Sequence, residues 1–515
     1  MLDLLIRNGQ IVDGSGLPKF QGDVAIEGDR VVGVGRFPHA AAHKTIDAGG
    51  HVVAPGLVDA HVHGDLALLH DPAHEPAVRQ GVTTYIIGQD GVAFAPGSPE
   101  TQEYMRLYTA GFNGNFPLPG LSWRSMAEYL DVFRGRASIN VACLIPNGNV
   151  RMDVMGLAER RATADEMKAM RRAIREAMEQ GAVGLSSGLD YIPSLYADTA
   201  ELVEVCKEIT PFGGVYVTHM RGYAPHNYVS SMAEVATIGR EAGCAVHISH
   251  FNSIAADVIP EMDRMAGAEV TFDLYCYLYG STILGMITLP PEAQAGGIGA
   301  TLARLRDPAI RPHVREWVAN PRYDLDRVRL GSVPAAEYRH LEGKTLAEAV
   351  DLLKRPIADV ILDLLSATDM AVNCVVPHNA RRTDGDIKAL MRDPRMMGGS
   401  DGIYVGGKPH PRGTGCFARY LGHYVRTGVW SIEEAVMKCA RHPARRHGLH
   451  DRGLLAPGMA ADVIVFDAAA IQDRSTFDDG KLLATGMRDV VVNGELVLEK
   501  GERTAKRPGV GLRRR

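Results

Sequence analysis

Residues 56–65, GLVDAHVHGD, end an apolar run in two imidazoles, His61 and His63. Residues two apart on a strand share a face, so both rings point the same way. Other apolar runs finish similarly: Asp90 closes TTYIIGQD, His219 lies in GVYVTHM, His250 ends CAVHISH and Asp401 closes MMGGSD. A lone histidine at a strand end is usually a satisfied core or rim residue. Imidazoles and carboxylates recurring at several strand ends point instead to a metal site made of His61, His63, Asp90, His219, His250 and Asp401. This donor set suits Zn²⁺ or a similar borderline ion. It suits Mg²⁺ and Ca²⁺ poorly, because those ions prefer all-oxygen shells. Such an ion polarises carbonyls and activates water.

The elements that must carry these groups alternate. Strand-length apolar runs occur at 52–63, 83–90, 140–147, 182–189, 214–220, 244–251, 269–275 and 396–401, with helical patterns between several of them. The clearest helix is TADEMKAMRRAIREAMEQG. Thr163 and Glu166 form a capping box there, Gly181 marks the end, and Met167, Met170, Ile174 and Met178 make a stripe for packing. Buried strands alternating with helices imply a parallel sheet, and this number implies a (β/α)8 TIM-like barrel. Catalytic groups of such barrels come from the carboxyl ends of the strands, where these candidates fall. Both chain ends are β-rich with Asn-Gly turns at 8–9 and 493–494, which predicts a small β-sandwich domain built from both termini. The expected division is therefore 1–51 with 445–515 for the sandwich and 52–444 for the barrel. Within the barrel, 277–395 holds an insertion that could act as a lid.

Composition limits the alternatives. The 515 residues carry a formal charge of -5 and show no basic stripe with interleaved aromatics, so nucleic acid is not an expected partner. The final GLRRR reads as a solvated tail. Seven cysteines without CxxC spacing suggest neither disulfides nor a zinc knuckle. The first residues read as a strand and turn rather than a signal peptide, and no apolar run is long enough to span a membrane. A cytoplasmic protein acting on a small molecule is the expectation; its oligomeric state is left open.

The chain resembles the amidohydrolase superfamily and, within it, the N-acyl-D-amino-acid deacylases. PGLVDAHVHGD is similar to that family's first-strand motif. GLSSGLDY, THMRG, ISH, GSDG and PHPRGTGCFARYLGHYV are similar to its later blocks in the same order, and GLLAPGMAADVIVFD to its closing strands. The resemblance implies that His219 and His250 bind the tighter zinc, that His61 and His63 serve a neighbouring position, and that Asp401 is the general acid/base. It also implies that Arg412 grips the substrate α-carboxylate, helped by Tyr191. Arg221 is a second cationic candidate. Two positions depart from the family. Asp90 stands where a cysteine ligand is common, a carboxylate being anionic at neutral pH and able to bridge two ions. Asn252 stands where a lysine is common, which changes carboxylate recognition. His247 is assigned to a supporting position or the core. No lysine lies in AVGLSSGLDYIP, so a carbamylated lysine at the fourth strand is not expected.

The expected activity is hydrolysis of the amide of N-acyl-D-amino acids by metal-activated water, with one or two zinc ions. The alternatives are an amidohydrolase acting on a D-dipeptide, cyclic amide or lactone and, further off, a catalytically silent ligand-binding barrel.

Overall fold

The computed structural model describes residues 1–514 apart from 118, 119, 266 and 319–322. Each apolar run becomes a strand: Leu57–Asp59, Val82–Ile87, Asn140–Cys143 continued by Ile145–Pro146, Gly184–Gly188, Val215–His219, Ala245–Ile248, Val270–Leu274 and Met396–Gly398. Neighbours in this order pair in parallel. The ring closes between the last strand and the first. There Ala60 N donates to Gly398 O (3.1 Å) and His63 N to Gly402 O (3.0 Å). The expected (β/α)8 barrel is thus present. Its strands are buried almost along their length because both faces are covered, the inner by barrel filling and the outer by helices.

Ala164–Glu179 shows how the helices attach. The Thr163–Glu166 capping box satisfies its first turn, while Met170, Ile174, Ala177 and Met178 bury one face. The methionine stripe packs, as its helical spacing implies.

Strands from both chain ends form one nine-stranded sheet. Leu2–Ile11 pairs with Phe20–Glu27, Ala42–Asp47 and Val52–Pro55, and Val52–Pro55 pairs with Val463–Phe466 near the other end of the chain. Inward residues of both halves, among them Ile6, Val24, Val53, Val463 and Val491, share one apolar cluster. The chain leaves this sheet at Gly56 and enters the barrel one residue later, so the first barrel strand is anchored immediately behind its histidines.

The segment before the eighth strand has its own antiparallel sheet of Tyr279–Ile283, Asn373–Pro377 and Arg329–Ser332. Helices Leu346–Leu353 and Ile357–Ala367 pack a separate apolar cluster against it. The basic terminus is not a solvated tail. Leu512 N donates to Val141 O, Arg514 Nε to Phe212 O (2.7 Å) and Arg513 Nη1 to Gln180 O (3.2 Å). Guanidinium donors there satisfy carbonyls left at the turns leading into the barrel strands, a role that charge counting does not reveal. Arg515 lies outside the described residues.

Candidate metal centre

The first strand ends at Asp59, and the chain carries the histidines to the mouth through a bend at Ala60 and His61, held by Asp59. Its Oδ1 accepts from Ser400 N (2.8 Å) and His61 N (3.2 Å), tying the ends of the first and eighth strands together. Asp90 follows the second strand in a single tight turn, Gln89–Gly91, with φ 56°. Glycines flank it because side chains would collide. A Cβ at Gly88 would lie 2.4 Å from Leu144 O, and one at Gly91 2.9 Å from Gly188 N. His250 (φ 34°) and Asp401 (φ 49°) share this left-handed conformation. Non-glycine residues enter that region at a cost, and such positions concentrate at functional sites.

His61, His63 and Asp90 form one group able to hold an ion, and Asp90, His219 and His250 form a second. Asp90 belongs to both. Its Oδ1 is 3.8 Å from His61 Nε2 and 3.7 Å from His250 Nε2, and its Oδ2 is 3.5 Å from His63 Nε2. His219 Nδ1 and His250 Nε2 are 3.0 Å apart. The residues fit a metal on two grounds. Nε2 of His61 and Oδ1 of Asp90 are buried with no hydrogen-bond partner among the described residues, an expensive state for polar atoms. The donors are also imidazoles around one carboxylate, the set that suits zinc.

The electrostatics agree. Burial works against a charged His63, yet hydrogen bonds with Asp401 and Asp90 raise it to about 10. Burial would raise Asp90, but His61, His250 and His63 hold it well below the usual carboxylate range. His219, buried and beside His250, is pushed down to about 3. The carboxylates therefore gather positive charge, which a divalent ion supplies while displacing protons.

Asp401 Oδ1 lies 3.3 Å from His63 Nε2, and Oδ2 lies 2.8 Å from Arg412 Nη1. Burial pushes its carboxyl up, but Arg412 and His63 bring it to about 2. Arg412 is fully buried. It is turned onto Asp401 and the ring of Tyr275 (4.5 Å to the centroid), with Nη2 donating to Ser281 O. Arg412, expected to meet the substrate carboxylate, stands in the structure against this buried anion. Arg221, the second cationic candidate, lies elsewhere. It pairs with Glu234 (3.0 Å) and donates to Leu195 O and Ala197 O, away from the cavity.

Asp273, on the seventh strand, was not singled out by sequence. Its Oδ2 is 3.0 Å from His247 Nε2 and 3.4 Å from His61 Nδ1, while Oδ1 accepts from His250 N (2.8 Å). It orients one candidate ligand of each group. The only signal in EVTFDLY was a carboxylate inside an apolar strand. His247 is fully buried against it.

The centre floors a cavity of about 550 Å³. Tyr191 lines it with its hydroxyl 3.1 Å from His219 Nδ1. Phe112, Met286 and Ile287 give it apolar surface, Asn252, Tyr275 and His378 polar surface, and Arg327 of the insertion reaches its edge. Among the described residues, no helix is long and apolar enough to cross a membrane.

Residues 44–498 match the model of the amidohydrolase family. The chain is 34% identical to a D-aminoacylase of Alcaligenes xylosoxydans xylosoxydans, covering 99% of this chain and 98% of that one. It is 33% identical to an N-acyl-D-glutamate deacylase of the same organism, covering 100% and 97%. Among solved structures, an N-acyl-D-glutamate deacylase from Bordetella bronchiseptica, complexed with zinc and a phosphonate mimic of the tetrahedral intermediate, is similar with a TM-score of 0.84. The identity is 30% over 99% of each chain.

Proposed function

Because the chain belongs to the amidohydrolase family, we propose that it is a zinc-dependent hydrolase of the amide bond in N-acyl-D-amino acids. The observation that carries this reading is the pair of ligand groups sharing Asp90, with Asp401 beside them, and with His63, Asp90, His219, His250 and Asp401 lining one cavity. His61, His63 and Asp90 would hold one ion, and Asp90, His219 and His250 the other, with one or both positions filled. When bound, zinc supplies Lewis acidity towards the acyl carbonyl and lowers the pKa of water.

Asp401 takes the water proton at Oδ1, the oxygen that faces His63, because Arg412 occupies Oδ2. A carboxyl held near 2 by a fixed guanidinium is a strong acid once protonated, so it surrenders that proton readily to the leaving nitrogen. Arg412 thereby acts as a positioning residue. Tyr191 lies beside His219 and holds the substrate against the floor. Phe112, Met286 and Ile287 exclude water from the acyl or side-chain portion. The insertion around Arg327 would close the mouth as a lid, and the terminal sheet serves as a separate unit that anchors the first strand. All seven cysteines are free and buried, which supports a reducing, cytoplasmic setting.

The test is elemental analysis of the purified protein together with amine release from a panel of N-acetyl-D- and L-amino acids. One or two zinc ions per chain with D-selective release is the expected result. Zinc with hydrolysis of lactones or cyclic amides alone would overturn the substrate.

A further inference from the structure

A second cavity, of about 250 Å³, shares no lining residue with the catalytic one. Ile403 and Tyr404, just after Asp401, form one side of it, and Phe116 and Pro409 line it too. The exposed Lys481 marks its mouth. An apolar void of about 150 Å³ is enough to take benzene, so this one has room for a bicyclic ring.

One buried polar atom of its wall lacks a partner. His74 is 2% exposed and lies in the left-handed region, with φ 39°. Its Nε2 is 2.9 Å from the Tyr85 hydroxyl, which is 2.7 Å from that of Tyr404, itself 3.3 Å from Gly413 O. A carbonyl only accepts, so Tyr404 donates to Gly413, Tyr85 to Tyr404 and His74 Nε2 to Tyr85. Burial pushes His74 down to about 4, so the ring is neutral at neutral pH and Nδ1 keeps its lone pair. No donor among the described residues meets that atom, and an unsatisfied buried acceptor is costly. His74 lines the cavity, where a donor can reach it. The other buried polar groups of the wall are already satisfied. His410 accepts from Arg412 N at Nδ1 and donates to Tyr279 O from Nε2, and the Thr414 hydroxyl donates to Gly480 O.

We propose that this cavity is a second ligand site, for a small aromatic molecule whose single N–H or O–H donor meets His74 Nδ1. The ring packs among Phe116, Ile403, Pro409 and Tyr404, and the donor supplies the one hydrogen bond that the wall lacks. A ligand with a second buried polar group would find no partner for it, and a hydrocarbon would leave His74 unsatisfied. The site lies outside the hydrolytic reading above and does not depend on it.

The experiment is calorimetric titration of the protein as purified with indole and with indene, the same bicycle without the N–H. Indole is expected to bind about fivefold or more tightly, the margin that one hydrogen bond to a buried neutral acceptor supplies. His74→Phe keeps a ring but removes the acceptor, so indole should fall to the affinity of indene. Ala67 also lines the cavity, and Ala67→Leu should weaken both compounds about tenfold or more by overfilling it. Where a variant does not fold, the anomalous bromine signal of a bromoindole in wild-type crystals locates the ring, and a signal beside His74 supports the site. Equal affinity for indole and indene, no binding of either, or an affinity that a folded variant leaves unmoved would overturn the proposal. A bromine signal over the metal centre alone would overturn it as well.

Discussion

Arg412 Nη1 sits 2.8 Å from Asp401 Oδ2, and both side chains are closed off from solvent. The pair fixes which carboxylate oxygen faces the imidazoles. It also explains how an acid can stay ionised at a buried strand end, since the interior offers little solvation and strong Coulomb attraction.

Arg412→Met should therefore cost about 3–5 kcal/mol of stability, the range for leaving a buried partner uncompensated. The sign with pH follows from the depressed Asp401 carboxyl. Its contribution is present above the ordinary value of 3.8 and is lost as pH falls towards about 2. In the variant this acid-side loss disappears, and the acid limb of the kcat/KM profile moves to higher pH. Equal denaturation curves and an unmoved limb would show that Arg412 does not hold Asp401.

Asp90 belongs to both candidate ion groups, whereas each histidine belongs to one. Asp90→Ala is expected to remove bound zinc from both positions. His63→Ala should lower occupancy of one group only, and His219→Ala of the other. Elemental analysis after gel filtration reads this directly. Full zinc content in Asp90→Ala would remove it from the ligand set.

Chelation tests the centre without mutation. With ligand a thousandfold over its dissociation constant, binding stabilises a fold by about 4 kcal/mol, so the stripped protein should melt earlier. Its pH dependence is also set. His63 is raised to about 10 in the metal-free fold against an ordinary 6.5. That contribution is complete below 6.5 and lost as pH rises through 10. The stripped protein should thus lose stability between neutral and alkaline pH, and the zinc-loaded protein should not, because its His63 carries no proton to lose.

The barrel and most of the centre were legible because both follow from local pattern. Apolar runs mark the strands, and the carboxyl-end rule puts His61, His63, Asp90, His219, His250 and Asp401 on one rim. What stayed hidden depends on partners distant in sequence. Arg412 is marked by its motif as a site residue, and only the fold gives it to Asp401. Arg513 and Arg514 read as tail because the carbonyls they satisfy lie some three hundred positions away. Asp273 hid inside an apolar strand, since alternation does not separate a buried carboxylate from a solvent-facing one.

Asp273 gives the sharpest test of how the ligands are held. Its carboxylate meets His61 Nδ1 and His247 Nε2 through one oxygen and the His250 backbone through the other. A carboxylate behind a ligating imidazole fixes the ring and raises its basicity, and losing such a partner typically weakens metal binding by about 10–100-fold. Asp273→Asn keeps the shape and the acceptor for His250 N but removes the charge. Zinc affinity, measured by competition with a chelating dye, should fall in that range while the fold survives. His247→Gln is the companion variant. His247 touches Asp273 but belongs to neither ion group, so its loss should weaken zinc less than the loss of Asp273 does. If His247→Gln is the more damaging change, the histidine anchors the network and Asp273 only follows it. If neither variant alters affinity, the imidazoles are held by the barrel backbone alone.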